Sequence, residues 1–325
     1  MKLFALNQSR YFGEKVAAEL GISLTAHEER EFEDGEHKAR PLASVRGRDV
    51  FVIQSLHGGP DQSVNDKLCR LLFFLATMRE NGARRVTAVV PYFAYARKDR
   101  QTKARDPVTT RYMAQLLETV GSDAVITLDV HNIVAFQNAF RCQSVHLDTR
   151  LLFAQRAVDL VGDDLVVVAS PDPGGVKRAQ LFRETLEAKL GRPVGSAFME
   201  KRRSAGVVTG SLLIGELQNA TVLIIDDLIS TGGTMVRAAK ACREHGARNV
   251  YAFAAHGLFV GDAAAAISDT SIAKTFITDT IPPFRLGRDA KTANLEVISA
   301  APLFAEAIRR FHESGSFVDL LGWPE

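Results

Sequence analysis

The chain has 325 residues, 46% of them hydrophobic, with 40 Lys and Arg against 38 Asp and Glu and a formal charge of +2. That length holds roughly two domains of about 100–200 residues and a full core, and so balanced a charge excludes a global field drawing the protein to nucleic acid or a membrane surface. No apolar run reaches transmembrane length; the opening MKLFALNQSR is too short in apolar residues for a signal core, and Cys69, Cys142 and Cys242 form no CxxC pair, so a cytoplasmic protein with free, buried thiols is expected.

Six short apolar runs follow in chain order: DVFVIQ (49–54), RRVTAVVPYF (84–93), DAVITLDV (123–130), DLVVVASP (164–171), ATVLIIDD (220–227) and NVYAFAAH (249–256). Amphipathic stretches of helical length separate them. Continuous rather than alternating apolar character marks strands buried on both faces, so the expected class is α/β, with mostly parallel sheets flanked by helices. Two stretches correspond, RENGARRVTAVV from Arg79 and REHGARNVYAFA from Arg243, each reading as a helix end, a glycine cap and the next strand. A further strand, loop and helix precede each. The chain therefore reads as two similarly built domains, 1–148 and 149–325, with the final helical stretch free to pack back on the first. The two copies diverge where the upstream strand ends, in Gln54 and Ser55 in the first but in Asp226 and Asp227 in the second.

In VLIIDDLISTGGTM (222–235) a buried strand runs into two carboxylates and a small-residue loop. Ligands of open parallel sheets bind beyond the strands' carboxyl ends, and the following helix points its N-terminal N–H groups at the loop. Gly232 and Gly233 let the backbone close on a phosphate, while Ser230, Thr231 and Thr234 add hydroxyl donors. The loop lacks the GK[ST] of a Walker A sequence. Adjacent carboxylates suit two vicinal hydroxyls, as acceptors directly or through a metal ion, so the ligand that needs both features is a ribose 5-phosphate unit. The plainer reading, a capped helix with surface acids, leaves the solvation cost of two acids after VLII unexplained.

The loop resembles the ribose-phosphate signature of type I phosphoribosyltransferases, and more closely that of the ribose-phosphate diphosphokinase (PRPP synthetase) family, over nearly the whole chain. REFEDGEHKAR (30–40) is similar to that family's adenine-contacting loop, which implies ATP contacts from Phe32, Asp34 and Glu36. PYFAYARKDR (91–100) resembles its YARQDR pattern, which implies ATP contacts from Arg97, Lys98, Asp99 and Arg100, with Lys98 standing where Gln is usual. His131, in TLDVHNIVAF, and Asp172, in ASPDPGGVKRAQLF, match positions that hold the Mg2+ of MgATP. FMEKRRSAGVVTG (198–210) resembles the catalytic flexible loop, implying that Lys201 and Arg203 neutralise charge during transfer. The resemblance implies transfer of the diphosphoryl group of ATP to the C1 hydroxyl of ribose 5-phosphate, with AMP leaving, in a homo-oligomer built from dimers, a hexamer included. It implies neither nucleic acid nor membrane as partner.

Three rivals stand beside it, one of them a nucleic-acid-binding module using KDRQTKAR (98–105), which lacks a global basic excess. A catalytically silent regulatory subunit of the same family would have no need of Lys201, Arg203, His131, Asp172 and the acid pair together. A base phosphoribosyltransferase would leave FEDGE and YARKDR without a purpose.

Overall fold

The structure is a computed structural model and describes residues 1–204, 207–287 and 294–322, with the backbone alone described for 200–204 and 207–212. Up to Asp148 the elements are β1 (Lys2–Ala5), α1 (Arg10–Glu19), β2 (His27–Glu31), β3 (His37–Pro41), β4 (Asp49–Ile53), α2 (Val64–Glu80), β5 (Arg85–Val90), α3 (Thr109–Thr119), β6 (Ala124–Leu128), α4 (Ile133–Ala139) and β7 (Gln143–Leu147). Then come α5 (Arg150–Val161), β8 (Val166–Ser170), α6 (Val176–Leu190), β9 (Gly195–Ser204), β10 (Val207–Ile214), β11 (Thr221–Ile229), α7 (Gly233–Glu244), β12 (Asn249–Gly257), α8 (Ala263–Ile267), β13 (Lys274–Thr278), β14 (Leu295–Ile298) and α9 (Ala301–Glu313). The class is α/β. Contacts divide the chain into two compact units, residues 1–148 with 300–325, and residues 149–299.

In the first unit five parallel strands lie in the order β1-β4-β5-β6-β7, and β2 and β3 form a separate antiparallel hairpin. The all-apolar run of β4 is explained by its two covered faces. Val50 and Val52 meet Leu71, Phe74 and Met78 of α2 and Met113 and Leu117 of α3. Phe51 and Ile53, pointing the other way, meet Phe12 and Val16 of α1 and Phe304, Ile308 and Phe311 of α9. The apolar spacing of α9, with Ala301, Phe304, Ala305, Ile308 and Phe311 buried, gives it one face for this sheet. A polar clasp holds its far end. The buried Asp49 carboxylate accepts from Arg85 Nε at 2.8 Å and from His312 Nδ1 at 2.7 Å, and the Arg85 guanidinium lies over the Phe311 ring, 4.4 Å from its centroid.

In the second unit seven strands run in the order β10-β9-β8-β11-β12-β13-β14, parallel throughout except for the antiparallel β9/β10 pair. Alternate residues of β11 again serve opposite faces: Val222 and Ile224 meet Met235, Ala239 and Cys242 of α7, and Leu223 and Ile225 join Phe153 of α5 and Phe182 of α6. The chain leaves β8 for β9 on one side, while β11 lies on the other. The carboxyl ends of β8 and β11 therefore flank a topological switch point, where a crevice opens in doubly wound sheets.

Cys242 is buried, as expected, but Cys69 and Cys142 are half-buried. All three are free. Burial pushes the Cys242 thiol up to about 12, and burial with the nearby Glu118 does the same to Cys142. Among the described residues no helix is long and apolar enough to cross a membrane.

Candidate active site

At the switch point of the second unit, the end of β11 presents Asp226 and Asp227, and the backbone N–H of Asp227 donates to Asp226 Oδ1 at 2.9 Å. Little of either side chain is exposed, 19% for Asp226 and 5% for Asp227. Burial, and then the neighbouring Asp227 charge, push the Asp226 pKa well above the carboxylate range, while Arg178 pulls it back. Arg178, on the first turn of α6, sets Nη1 at 3.6 Å from Oδ1 of both acids. It is the residue that sequence reading missed.

The loop after β11 is shaped for an anion. Gly232 has φ +79°, and a Cβ there would lie 2.4 Å from Ala266 Cβ on α8, so conformation and space both require glycine. No side chain caps α7, leaving the N–H groups of its first turn without a side-chain acceptor. Ser230, Thr231, Gly233 and Thr234 line the same short stretch, with Thr234 Oγ1 accepting from Arg237 Nη2 at 3.2 Å. The corresponding place in the first unit is filled from within. There Ser63 and Asp66 form a capping box at the start of α2, and Lys67, fully buried, puts its ammonium 3.4 Å from both ring nitrogens of His57.

Asp172 follows β8, and its Oδ1 accepts from the N–H groups of Gly174 at 2.9 Å and Gly175 at 3.2 Å. One oxygen thus fixes the turn that launches α6. His131 follows β6 in the first unit and is exposed. Among the described residues no group of three or more His, Cys, Asp or Glu side chains is gathered for a metal ion.

Phe32, Asp34 and Glu36 sit exposed at the tip of the β2/β3 hairpin. Phe32 N–H donates to the Glu36 carbonyl at 2.8 Å, Asp34 Oδ1 accepts from Glu36 N–H at 3.0 Å, and the Arg30 guanidinium lies 5.1 Å from the Phe32 ring centroid. In the YARKDR loop Arg97 and Arg100 are exposed, whereas Lys98 Nζ donates to Asp106 Oδ2 at 2.6 Å and to Thr102 Oγ1 at 3.0 Å. Hydrogen bonds from Lys98 first, and from Thr102, hold the Asp106 carboxyl well below the ordinary range. Asp99 Oδ2 accepts from Asn132 Nδ2 at 2.6 Å, and Asn132 caps α4, so this loop is tied to the residue beside His131. The backbone of Lys201 and Arg203 runs in β9, opposite Ser211 and Val208 of β10. Their side chains lie outside the described residues.

Residues 1–121 match a sequence profile for the N-terminal domain of ribose phosphate pyrophosphokinase, and residues 204–321 match one for a phosphoribosyl synthetase-associated domain. A ribose-phosphate pyrophosphokinase of Caldanaerobacter subterraneus subsp. tengcongensis is 40% identical over 318 residues, 97% of this chain and 96% of the relative. The chain belongs to the ribose-phosphate pyrophosphokinase family. Ribose-phosphate pyrophosphokinase 2 of Enterococcus faecalis is 37% identical over 97% of this chain and 94% of its own. Among solved structures, the phosphoribosylpyrophosphate synthetase of Mycobacterium smegmatis superimposes with a TM-score of 0.86 at 33% identity, over 97% of this chain and 99% of that one. Within the chain the two strand ends differ: α2, after β4, starts with a capping box, and α7, after β11, has no side-chain cap.

Proposed function

We propose that this ribose-phosphate pyrophosphokinase transfers the diphosphoryl group of ATP to the C1 hydroxyl of ribose 5-phosphate, in a magnesium-dependent reaction that yields 5-phosphoribosyl 1-diphosphate and AMP. The observation that carries the reading is the acid pair directly before an uncapped helix N-terminus at the β8/β11 switch point. Carboxylates accept from the vicinal ribose hydroxyls, and the α7 N–H groups with Ser230, Thr231 and Thr234 take the 5-phosphate. Both ends of the sugar are then gripped, and holding the acceptor in one orientation is a large part of catalysing a transfer of this kind. Phe32, Asp34 and Glu36 contact the adenine, and the exposed Arg97 and Arg100 face the triphosphate, with Asp99 held by Asn132. Lys98 belongs to the same loop and orders it through Asp106.

The donor set suits magnesium. This ion is ordinarily held by one or two carboxylates together with substrate phosphates and water, not by an all-protein cage, and Asp172 offers a carboxylate whose turn is already fixed by two N–H donors. Asp172 would hold it, and when bound it supplies charge neutralisation on the phosphates. Lys201 and Arg203 add positive charge to the transferring group. The working form is a homo-oligomer built from dimers.

The test separates diphosphoryl from phosphoryl transfer. Purified protein incubated with MgATP and ribose 5-phosphate is expected to release AMP in amounts equal to a new phosphoribosyl diphosphate signal in 31P NMR. ADP as the stoichiometric product, or AMP release indifferent to ribose 5-phosphate, would contradict the reading.

A further inference from the structure

We infer that Arg178 is the counter-charge that works against burial and mutual repulsion to favour the ionised acid pair that accepts the ribose hydroxyls, a positioning residue for sugar binding; the inference rests on the proposed reaction. Two adjacent carboxylates with little exposure repel each other, and a proton shared between them would turn one hydroxyl acceptor into a donor. A cation is needed near both. A guanidinium is charged at every working pH, and Nη1 of Arg178 stands 3.6 Å from Oδ1 of each acid. The equal spacing lets one charge serve both carboxylates. At that distance the contact is electrostatic and falls outside hydrogen-bond length.

The placement of Arg178 is built rather than incidental. Arg178 is the third residue of α6, and the turn before that helix is fixed by Asp172 Oδ1 and by Ser170 Oγ, which donates to the Asp172 carbonyl at 2.6 Å. A Cβ at Gly175 would stand 2.8 Å from Ser170 Oγ, so this turn also depends on glycine for its close approach. Because β8 and β11 are neighbouring parallel strands, a helix leaving β8 from a fixed turn brings its first turn over the end of β11. Asp172 thereby acts on the sugar site through α6, in addition to any part it has with the nucleotide.

Steady-state kinetics on the full-length enzyme test this. Arg178→Gln is expected to raise KM for ribose 5-phosphate about ten- to a hundredfold and KM for ATP less than about threefold. Arg178→Lys, which keeps the charge, is expected to recover most of the loss. In an Asp226→Asn, Asp227→Asn background the same Arg178→Gln change is expected to move KM for ribose 5-phosphate less than about threefold, because there is no longer a carboxylate to neutralise. An unchanged KM in the single variant, equal loss for Lys and Gln, or an undiminished effect without the acids would each overturn the inference. Should Arg178→Gln fail to fold, Arg178→Lys with and without the acid pair carries the test: an added loss in the acid-free background overturns it, and no added loss supports it. A wild-type enzyme that made no AMP from ribose 5-phosphate would instead remove the reaction itself, so the two failures are distinguishable.

Discussion

Gly232 carries the sharpest single-residue constraint in the cradle, because its φ of +79° and the 2.4 Å approach to Ala266 exclude a side chain for two separate reasons. Gly232→Ala is expected to impose about 1–2 kcal/mol of backbone strain before the clash is counted, lowering the urea midpoint and raising KM for ribose 5-phosphate; a variant with wild-type midpoint and kinetics would show that the loop tolerates another shape. The acids and the glycines were legible in the sequence because strand, turn and helix follow each other within a few residues. Arg178 was not legible. Its partners Asp226 and Asp227 become neighbours only once β8 and β11 pair, and no local pattern encodes that pairing. Lys98 was visible as an extra charge, yet its partner Asp106 lies across a turn that sequence spacing leaves open.

At the scale of elements, the short, continuously apolar strands were readable from the sequence pattern and the hairpins were not. FMEKRRSAGVVTG carries no run like VLII, and reading it as a loop missed the β9/β10 pairing of Lys201 with Ser211. If Lys201 neutralises charge mainly in the transition state, Lys201→Ala should cut kcat on the order of 10³-fold while MgATP binding is nearly kept; a loss under about tenfold would take it out of the mechanism. Helix α9 offers a stability prediction. Burial alone would raise the Asp49 pKa, but hydrogen bonds and charge from Arg85 and His312 outweigh it, and the net direction is downward. A carboxyl depressed on folding stabilises above its unfolded value of about 4 and loses that contribution as pH falls through the lower folded value. Asp49→Asn should therefore be less stable than wild type near neutral pH, with the gap to wild type closing at strongly acidic pH in urea titrations. A gap independent of pH would assign the loss to packing instead.

For the whole molecule, the internal correspondence in the sequence announced two similar halves, and the structure gives each a parallel sheet with both faces covered. The halves differ at the matching place: α2 starts with a capping box beside the buried Lys67, and α7 has no side-chain cap. If the exposed hairpin tip of Phe32, Asp34 and Glu36 completes a neighbour's ATP site, a triple-alanine variant there and Lys201→Ala should restore activity when combined in verified mixed dimers. A mixed dimer without recovery would mean that each chain holds a whole site. The central claim is that Asp226, Asp227 and the α7 N-terminus hold the sugar phosphate, and calorimetric titration of ribose 5-phosphate and of MgATP into wild type and the Asp226→Asn, Asp227→Asn variant tests it most directly. Sugar phosphate affinity should fall by about tenfold or more, as expected for buried acceptors removed from a ligand's hydroxyls, with MgATP affinity nearly unchanged. Equal ribose 5-phosphate affinity in the two proteins would contradict the assignment of the site.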